Sequence, residues 1–282
     1  MHRFATRRAA VGPPRGETHQ LRASAAAALI VASGVAPLHA GSISYGDFSD
    51  TPPGAVLYTG VSETSAAAPI FGPPTAIAST IDWNPGDFPA SQFSASAGDG
   101  ATDSIDGQLN FELTTLPGAG ITSLLIEESG DFDLFGGGSA ATQVGVGLFV
   151  EVEVLAVDRA PVFDLIGQAK IDVSASADAF FNLIADGPGL GTPWENALIV
   201  DLGAALSSAG ITFTEGVTSA SVTIKNSLVA IAEPLNEAEI VKTNFTVTPS
   251  GALSPMAIPE PPAAGLVGSL VALITTAAYA RR

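Results

Sequence analysis

Two long stretches of the chain alternate between apolar and polar residues with a period of two. In residues 143–158 the apolar members share one face, namely Val144, Val146, Leu148, Val150, Val152 and Val154. In residues 168–178 apolar residues from Ala169 to Ala177 alternate with Lys170, Asp172, Ser174, Ser176 and Asp178. Successive side chains of a strand point to opposite faces, so both stretches predict half-buried β-strands.

Shorter runs around Leu109, Val222 and Phe245 follow the same rule. Turn signals separate the runs at Asp106-Gly107, Gly136-Gly137-Gly138, Asp186-Gly187-Pro188-Gly189 and Asn226-Ser227. Helical patterning is confined to a short segment at residues 204–209, closed by Gly210. Frequent strands without crossover helices favour an all-β fold, an antiparallel β-sandwich of jelly-roll type over residues 41–248.

The N-terminal segment has the parts of a signal peptide. Five arginines precede residue 23, and the apolar run 23–36 is too short to span a bilayer comfortably. Pro37 then breaks the helix, and a small residue precedes Gly41, so we expect cleavage by signal peptidase between Ala40 and Gly41. The alternative is that residues 1–40 form a buried helix of the fold, and Arg7-Arg8 leaves a twin-arginine export route as a weaker alternative.

The C-terminal segment combines Pro259-Glu260-Pro261, an uncharged run over residues 263–280 and the terminal pair Arg281-Arg282. Eighteen helical residues reach about 27 Å, enough for the hydrocarbon core of a membrane. The arginines then favour a cytoplasmic C-terminus, with the folded part outside. Residues 249–258 are predicted to be a spacer.

This tripartite tail, residues 259–282, resembles the PEP-CTERM sorting signal of Gram-negative bacteria. The resemblance implies a transient membrane anchor that an exosortase-type membrane protease recognises and cuts. It further implies a final location at the cell surface or outside the cell, in a bacterium that makes extracellular polysaccharide. An ordinary single-span anchor that is never cut requires the same apolar helix and positive end, so it remains the alternative.

Charge and composition narrow the possible functions of the exported part. Between Gly41 and Ile258 four cations face 26 acids, a net charge of −22 that repels nucleic acids. All three histidines lie before Gly41 and cysteine is absent from the chain. Catalytic triads, histidine bases and zinc or copper sites built on imidazole or thiolate are therefore excluded from this part, and we expect no enzyme.

Acidic segments supply the candidate metal ligands. Asp99, Asp103 and Asp106 lie in a Gly-rich segment that suits Ca²⁺, and a second set, Glu127, Glu128, Asp131 and Asp133, surrounds a predicted turn at Gly130. No other cofactor is expected. Solvated acidic loops without a bound ion are the alternative for both sets.

The two tryptophans are candidates for ligand binding. Trp83 and Trp194 each lie in a stretch containing proline, and an aromatic ring on a loop can stack on a sugar. The alternative is that both fill the edge of the core under a loop.

These observations predict a non-catalytic exported β-sandwich protein associated with an extracellular polymer matrix. A carbohydrate- or calcium-binding module is the second hypothesis and a carboxylate glycosidase the third, because glycoside hydrolysis needs only two carboxylates.

Overall fold

A computed structural model describes residues 41–49, 55–65, 69–77, 79–83, 93–167 and 170–252 of the chain. The predicted signal peptide and the sorting tail, with Ala40 and residues 259–282, lie outside the described residues. Gly41 is the first residue of the first strand. In the described part of the chain no helix is long and apolar enough to cross a membrane.

The described residues form thirteen strands and two short helices. In chain order they are β1 Gly41–Ser49, β2 Val56–Ser65, β3 Thr75–Ile77, β4 Thr80–Trp83, β5 Ser94–Gly98, β6 Thr102–Thr115, β7 Gly120–Phe135, β8 Gln143–Val157, β9 Ala160–Pro161, α1 Val162–Ile166, β10 Ile171–Asn182, β11 Gly189–Asp201, α2 Leu202–Ser208, β12 Val217–Ile231 and β13 Glu237–Ala252. Every strand pair is antiparallel, which confirms the all-β prediction.

The strands fall into two groups. The first group has the order β1-β2-β6-β12-β8-β10, and we call it the long sheet. In the second group, the short sheet, β7 lies between β11 and β13, while β5 and β4 pair with different parts of β13. A single residue pair, Val217 with Ile121, connects the groups where β12 meets β7. From β5 onward, and leaving out the two-residue strand β9, successive strands alternate between the short sheet and the long sheet. The exception is β8, which is followed by β10 in the same sheet.

Alternating side chains fill the space between the sheets. The six apolar residues predicted to share a face of β8 are all buried, which confirms that strand. Aromatic rings bridge the sheets: Phe132 of β7 stacks on Phe181 of β10 with centroids 4.6 Å apart, and Trp83 of β4 packs on Phe111 of β6 at 6.0 Å. Burial of these rings and of the aliphatic residues supplies the main favourable term in folding.

Two predicted turns are strand instead. Asp106-Gly107 lies inside β6 and Asn226-Ser227 inside β12, and the two dipeptides pair with each other in the long sheet. Gly107 is needed for close packing, since a Cβ there would lie 2.8 Å from the Phe71 ring. The predicted turns at residues 136–138 and 186–189 do separate strands, although Gly189 already belongs to β11.

The bounds of the predicted helix at residues 204–209 and of the predicted spacer at residues 249–258 differ in the structure. The predicted short helix is α2, which Asp201 caps by accepting a hydrogen bond from the Ala204 N–H at 2.8 Å. Strand β13 continues to Ala252, so the first four residues of the predicted spacer are paired with β7.

Candidate functional site

The outward side chains of the long sheet form a largely polar surface, which we call the polar face. One row of side chains crosses five strands in register: Thr64 of β2, Gln108 of β6, Lys225 of β12, Phe149 of β8 and Ser176 of β10. Strands lie about 4.8 Å apart, so five strands present roughly 20 Å of side chains in a line. The row therefore has the dimensions of an extended chain-like ligand.

A groove of about 660 Å³ lies along this row. Gly147 of β8, two residues before Phe149, has no side chain to fill the groove. A Cβ there would lie 2.8 Å from the Ser227 hydroxyl and 3.3 Å from the Asp178 carboxylate. Asp106 and Gln108 of β6 line the opposite side. Hydroxyl, amide and carboxylate groups thus surround one half-buried aromatic ring.

Two lysines carry the positive charge of the polar face. The Lys225 ammonium lies 5.2 Å from the centroid of the Phe149 ring and 2.9 Å from a Glu151 carboxylate oxygen. Lys170 lies 3.3 Å from both Glu153 and Asp172, and these carboxylates raise its pKa. Because these groups are exposed, the ion pairs contribute little to stability and leave the lysines free to exchange partners.

The outer surface of the short sheet is chemically different. We call it the acidic face, and its acidic members are Glu127, Asp131, Asp133, Glu195, Glu237 and Glu239. Within the described residues no lysine or arginine points outward from this face. The two outer surfaces therefore differ in charge, and only the polar face offers both signs.

A second polar cluster lies inside the sandwich, and we call it the core triad. It consists of Glu128 of β7, Asn226 of β12 and Lys242 of β13, whose exposed fractions are 1, 2 and 3%. Lys242 Nζ donates hydrogen bonds to Glu128 Oε2 and to Asn226 Oδ1. Asn226 Nδ2 donates to Glu128 Oε2 at 2.5 Å, so the three side chains are mutually bonded.

The sequence analysis did not find the core triad, but its signal is visible in the strand periodicity. Lys242 follows Ala238 and Ile240 at the buried positions of β13. Asn226 likewise falls between the buried Ile224 and Leu228 of β12. A charged or amide residue in phase with buried apolar residues is itself buried and requires polar partners in the core. Such a position in the sequence therefore indicates a buried polar cluster.

The predicted calcium ligands do not come together. Asp103 and Asp106 lie on opposite faces of β6, because their separation of three residues is odd in a period of two. Asp103 accepts from the Ser96 N–H at 2.9 Å, whereas Asp99 lies in the β5–β6 turn and accepts from the Leu235 N–H at 3.3 Å. Among the described residues no group of three acidic or histidine side chains is placed to hold a metal ion.

The second acidic set is also divided. Gly130 is not a turn but an interior residue of β7, packed against the Val241 backbone of β13. Along this strand Glu128 points into the core, while Glu127, Asp131 and Asp133 belong to the acidic face. The period of the strand therefore separates the carboxylates that the sequence places side by side.

Both tryptophans are core residues. Trp83 is 0% exposed and its ring lies 5.7 Å from that of Phe245, while Trp194 is 2% exposed and donates its indole N–H to the Val241 carbonyl at 3.1 Å. Neither ring has a free face for a sugar. The interpretation of Trp83 and Trp194 as ligand-stacking residues is therefore not supported, and they fill the core as the alternative proposed.

Comparison with known proteins gives little information about this chain. No protein-family model matches it, and no curated protein matches it. Among solved structures it is similar to TmCBM61 in complex with β-1,4-galactotriose, with 9% sequence identity and a TM-score of 0.25 over 62% of this chain and 88% of that one. A TM-score this low supports no inference about the ligand of the present chain.

Proposed function

We propose that this chain is a non-catalytic, exported surface protein whose β-sandwich associates with extracellular polysaccharide through the polar face. The sorting tail would be cut by an exosortase-type protease, as the resemblance of residues 259–282 implies. The strand orders β5-β13-β7-β11 and β6-β12-β8-β10 support the finer assignment of a jelly roll, since that fold pairs two four-stranded sheets with crossing connections.

The row of side chains across the polar face is the observation that carries this proposal. A sugar ring presents apolar C–H faces and an edge of hydroxyl groups. Phe149 offers an apolar ring for the first, and Gln108, Ser176 and Asp178 offer donors and acceptors for the second. A groove that crosses strands in register suits a polymer better than a compact small molecule.

Charge favours a neutral polysaccharide over an acidic one. The exported part carries a net charge of −22, so long-range repulsion opposes the approach of an anionic polymer. Lys225 and Lys170 are already paired with carboxylates on the polar face. Binding is therefore expected to depend on hydrogen bonds and ring contact, and to change little with salt concentration.

The binding experiment uses affinity gel electrophoresis in gels containing neutral or acidic polysaccharides, together with a glycan array. Phe149→Ala and Gln108→Ala are each expected to weaken binding about tenfold or more, a loss of roughly 1.4 kcal/mol. The matched control is Phe135→Ala, because Phe135 is an exposed phenylalanine on the outer side of the short sheet. Equal binding by all three variants would place the contact elsewhere, and release of reducing sugar would contradict the absence of catalysis.

The sorting proposal is tested separately by mass spectrometry of both ends of the protein recovered from cell fractions. The expected N-terminus is Gly41, and the expected C-terminus lies near Pro259 to Pro262 in cells that have the sorting protease. An intact Arg282 in the surface or released pool would contradict sorting and indicate a permanent anchor.

A further inference from the structure

The core triad places an amine, a carboxamide and a carboxylate in contact inside the sandwich. Lys242 and Glu128 belong to the short sheet, on neighbouring strands β13 and β7, whereas Asn226 reaches them from β12 of the long sheet. The contact between Lys242 and Asn226 therefore connects the two sheets. Since Lys242 Nζ bonds Asn226 Oδ1, the nitrogen lies next to the carboxamide carbon.

The carboxylate of Glu128 touches both reacting groups. Its Oε2 atom accepts hydrogen bonds from Lys242 Nζ and from Asn226 Nδ2. Its other oxygen, Oε1, accepts from Asn196 Nδ2 at 2.8 Å, which holds the carboxylate in place. Asn196 also donates to the Ala177 carbonyl, at 3.3 Å. One carboxylate oxygen is thus placed to transfer a proton between the amine and the amide nitrogen.

The surroundings favour the neutral, nucleophilic form of the lysine. The rings of Phe93 and Phe245 lie close to the amine, with centroids 4.6 and 5.1 Å from Nζ. Burial lowers the pKa of Lys242 to about 8, against the opposing effect of Glu128. The lowered pKa increases the neutral fraction of the amine at neutral pH, and a neutral amine is required for attack on a carbonyl carbon.

We propose that Lys242 and Asn226 react with each other in the folded chain to form an intramolecular amide bond, with Glu128 as the catalytic acid and base. The Lys242 nitrogen attacks Cγ of Asn226, and a new C–N bond forms. Glu128 takes a proton from the attacking nitrogen and delivers it to Nδ2. The Cγ–Nδ2 bond then breaks and ammonia leaves, so that one amide replaces another and no oxidant or reductant is needed.

The core triad differs from the environment of Glu63, which is also buried. Among the described residues the other buried carboxylate is Glu63, which accepts from the Ile70 and Phe71 N–H groups and from the Tyr45 hydroxyl and forms no ion pair there. The hydrogen bonds of Glu63 hold the backbone at residues 70 and 71, whereas Glu128 accepts hydrogen bonds from both Lys242 and Asn226.

The cross-link also fits the chemistry of an exported chain without cysteine. No disulfide joins the sheets, because the sequence contains no thiol. Proximity in a rigid, dry core replaces an external enzyme, since two groups held in contact react with a high effective concentration. The reaction occurs once per chain, so it does not conflict with a non-catalytic role for the mature protein.

Peptide mapping of the full-length protein tests the bond directly. A protease that cuts after glutamate separates Asn226, in the peptide 216–237, from Lys242, in the peptide that begins at Ile240. We expect the two peptides to appear as one joined species whose mass is their sum less one ammonia. Acetylation of the denatured protein should modify Lys170 and Lys225 fully and leave Lys242 unmodified, which makes the two exposed lysines internal controls.

Substitutions of Asn226 and Glu128 test whether each residue takes part in forming the amide bond. Asn226→Ala and Glu128→Gln are each expected to give separate peptides and an acetylated Lys242, with folding checked by circular dichroism. Separate peptides and a fully acetylated Lys242 in the wild-type protein would overturn the proposal, whether or not any variant folds. A joined species that persists in Glu128→Gln would overturn the catalytic role of Glu128.

Discussion

Asp158, which follows β8, offers a quantitative test of the loop that leads into β12. Its backbone is in the left-handed region, with φ of 47°, and its carboxylate accepts three backbone hydrogen bonds. Oδ2 accepts from Thr214 at 2.7 Å, and Oδ1 accepts from Glu215 at 2.7 Å and from Gly216 at 3.0 Å. One side chain therefore holds three consecutive N–H groups between α2 and β12.

The substitution Asp158→Asn removes the negative charge and one acceptor oxygen while it keeps the size of the side chain. Asparagine tolerates a left-handed backbone, so the local conformation is retained. Its amide has one acceptor oxygen in place of two, so the Thr214 N–H would face another donor. Loss of at least one hydrogen bond to a charged group is worth about 1.5–3 kcal/mol in the free energy of unfolding.

The pH dependence gives the reasoning a second test. Partial burial raises the pKa of Asp158, but the bonds from Gly216, Thr214 and Glu215 together outweigh it, and the net pKa is lowered. In the unfolded chain this carboxyl titrates near its ordinary value of about 3.9. The stabilising contribution is therefore complete above about pH 4 and is lost as the pH falls through the lower pKa of the folded state. We expect the difference between wild type and Asp158→Asn to shrink as the solution is acidified.

The assay is urea denaturation followed by tryptophan fluorescence at pH 7 and at several values below 4. Asp131→Asn is the matched control, because Asp131 is exposed on β7 and its carboxylate makes no hydrogen bond in the described part of the chain. It removes the same charge from the same acidic protein. An Asp158→Asn variant within about 0.5 kcal/mol of this control at pH 7, or a difference that does not change with pH, would refute the reasoning.

Three further predictions concern the core and the candidate metal site. Trp83→Ala and Trp194→Ala should each lower the free energy of unfolding by about 3–5 kcal/mol in urea melts. If stability were unchanged and polysaccharide binding were lost, the two tryptophans would be ligand residues instead. Gly130→Ala should cost about 1–3 kcal/mol or more because its Cβ would meet the Val241 carbonyl, whereas Gly137→Ala, with open space around it, should be tolerated. Calcium chloride and sodium chloride at equal ionic strength should raise the melting temperature equally, and an added shift with calcium would reveal a site.

Periodicity in the sequence was sufficient to predict five of the thirteen described strands, namely β6, β8, β10, β12 and β13. The alternation in residues 143–158 corresponds to β8 almost residue for residue, since one buried face imposes a period of two whatever the partner strands are. The turn signals, by contrast, were wrong at Asp106-Gly107 and Asn226-Ser227, where residues typical of turns occupy strand interiors. Local propensity is outweighed there by packing, because Gly107 lies under Ile70 and Phe71.

The candidate sites depended on contacts that no local pattern contains. Acids that are close in sequence, such as Asp103 and Asp106, point to opposite faces of a strand and cannot share an ion. Conversely, Glu128 and Asn226 are 98 residues apart and their side chains are bonded. Which strands pair, and which sheets face each other, is decided by long-range packing, so the groove and the core triad become visible only in the folded chain.

The sequence alone determined that residues 41–258 are acidic, lack histidine and cysteine, and form strands, because these properties depend on composition and on local periodicity. The tertiary structure decided that Trp83 and Trp194 are buried, that the acidic residues are divided between faces, and that Lys242 meets Asn226 inside the sandwich. The physical reason is that a period of two assigns each side chain to a face of its strand, whereas its neighbours across the core are set by the order in which distant strands pair.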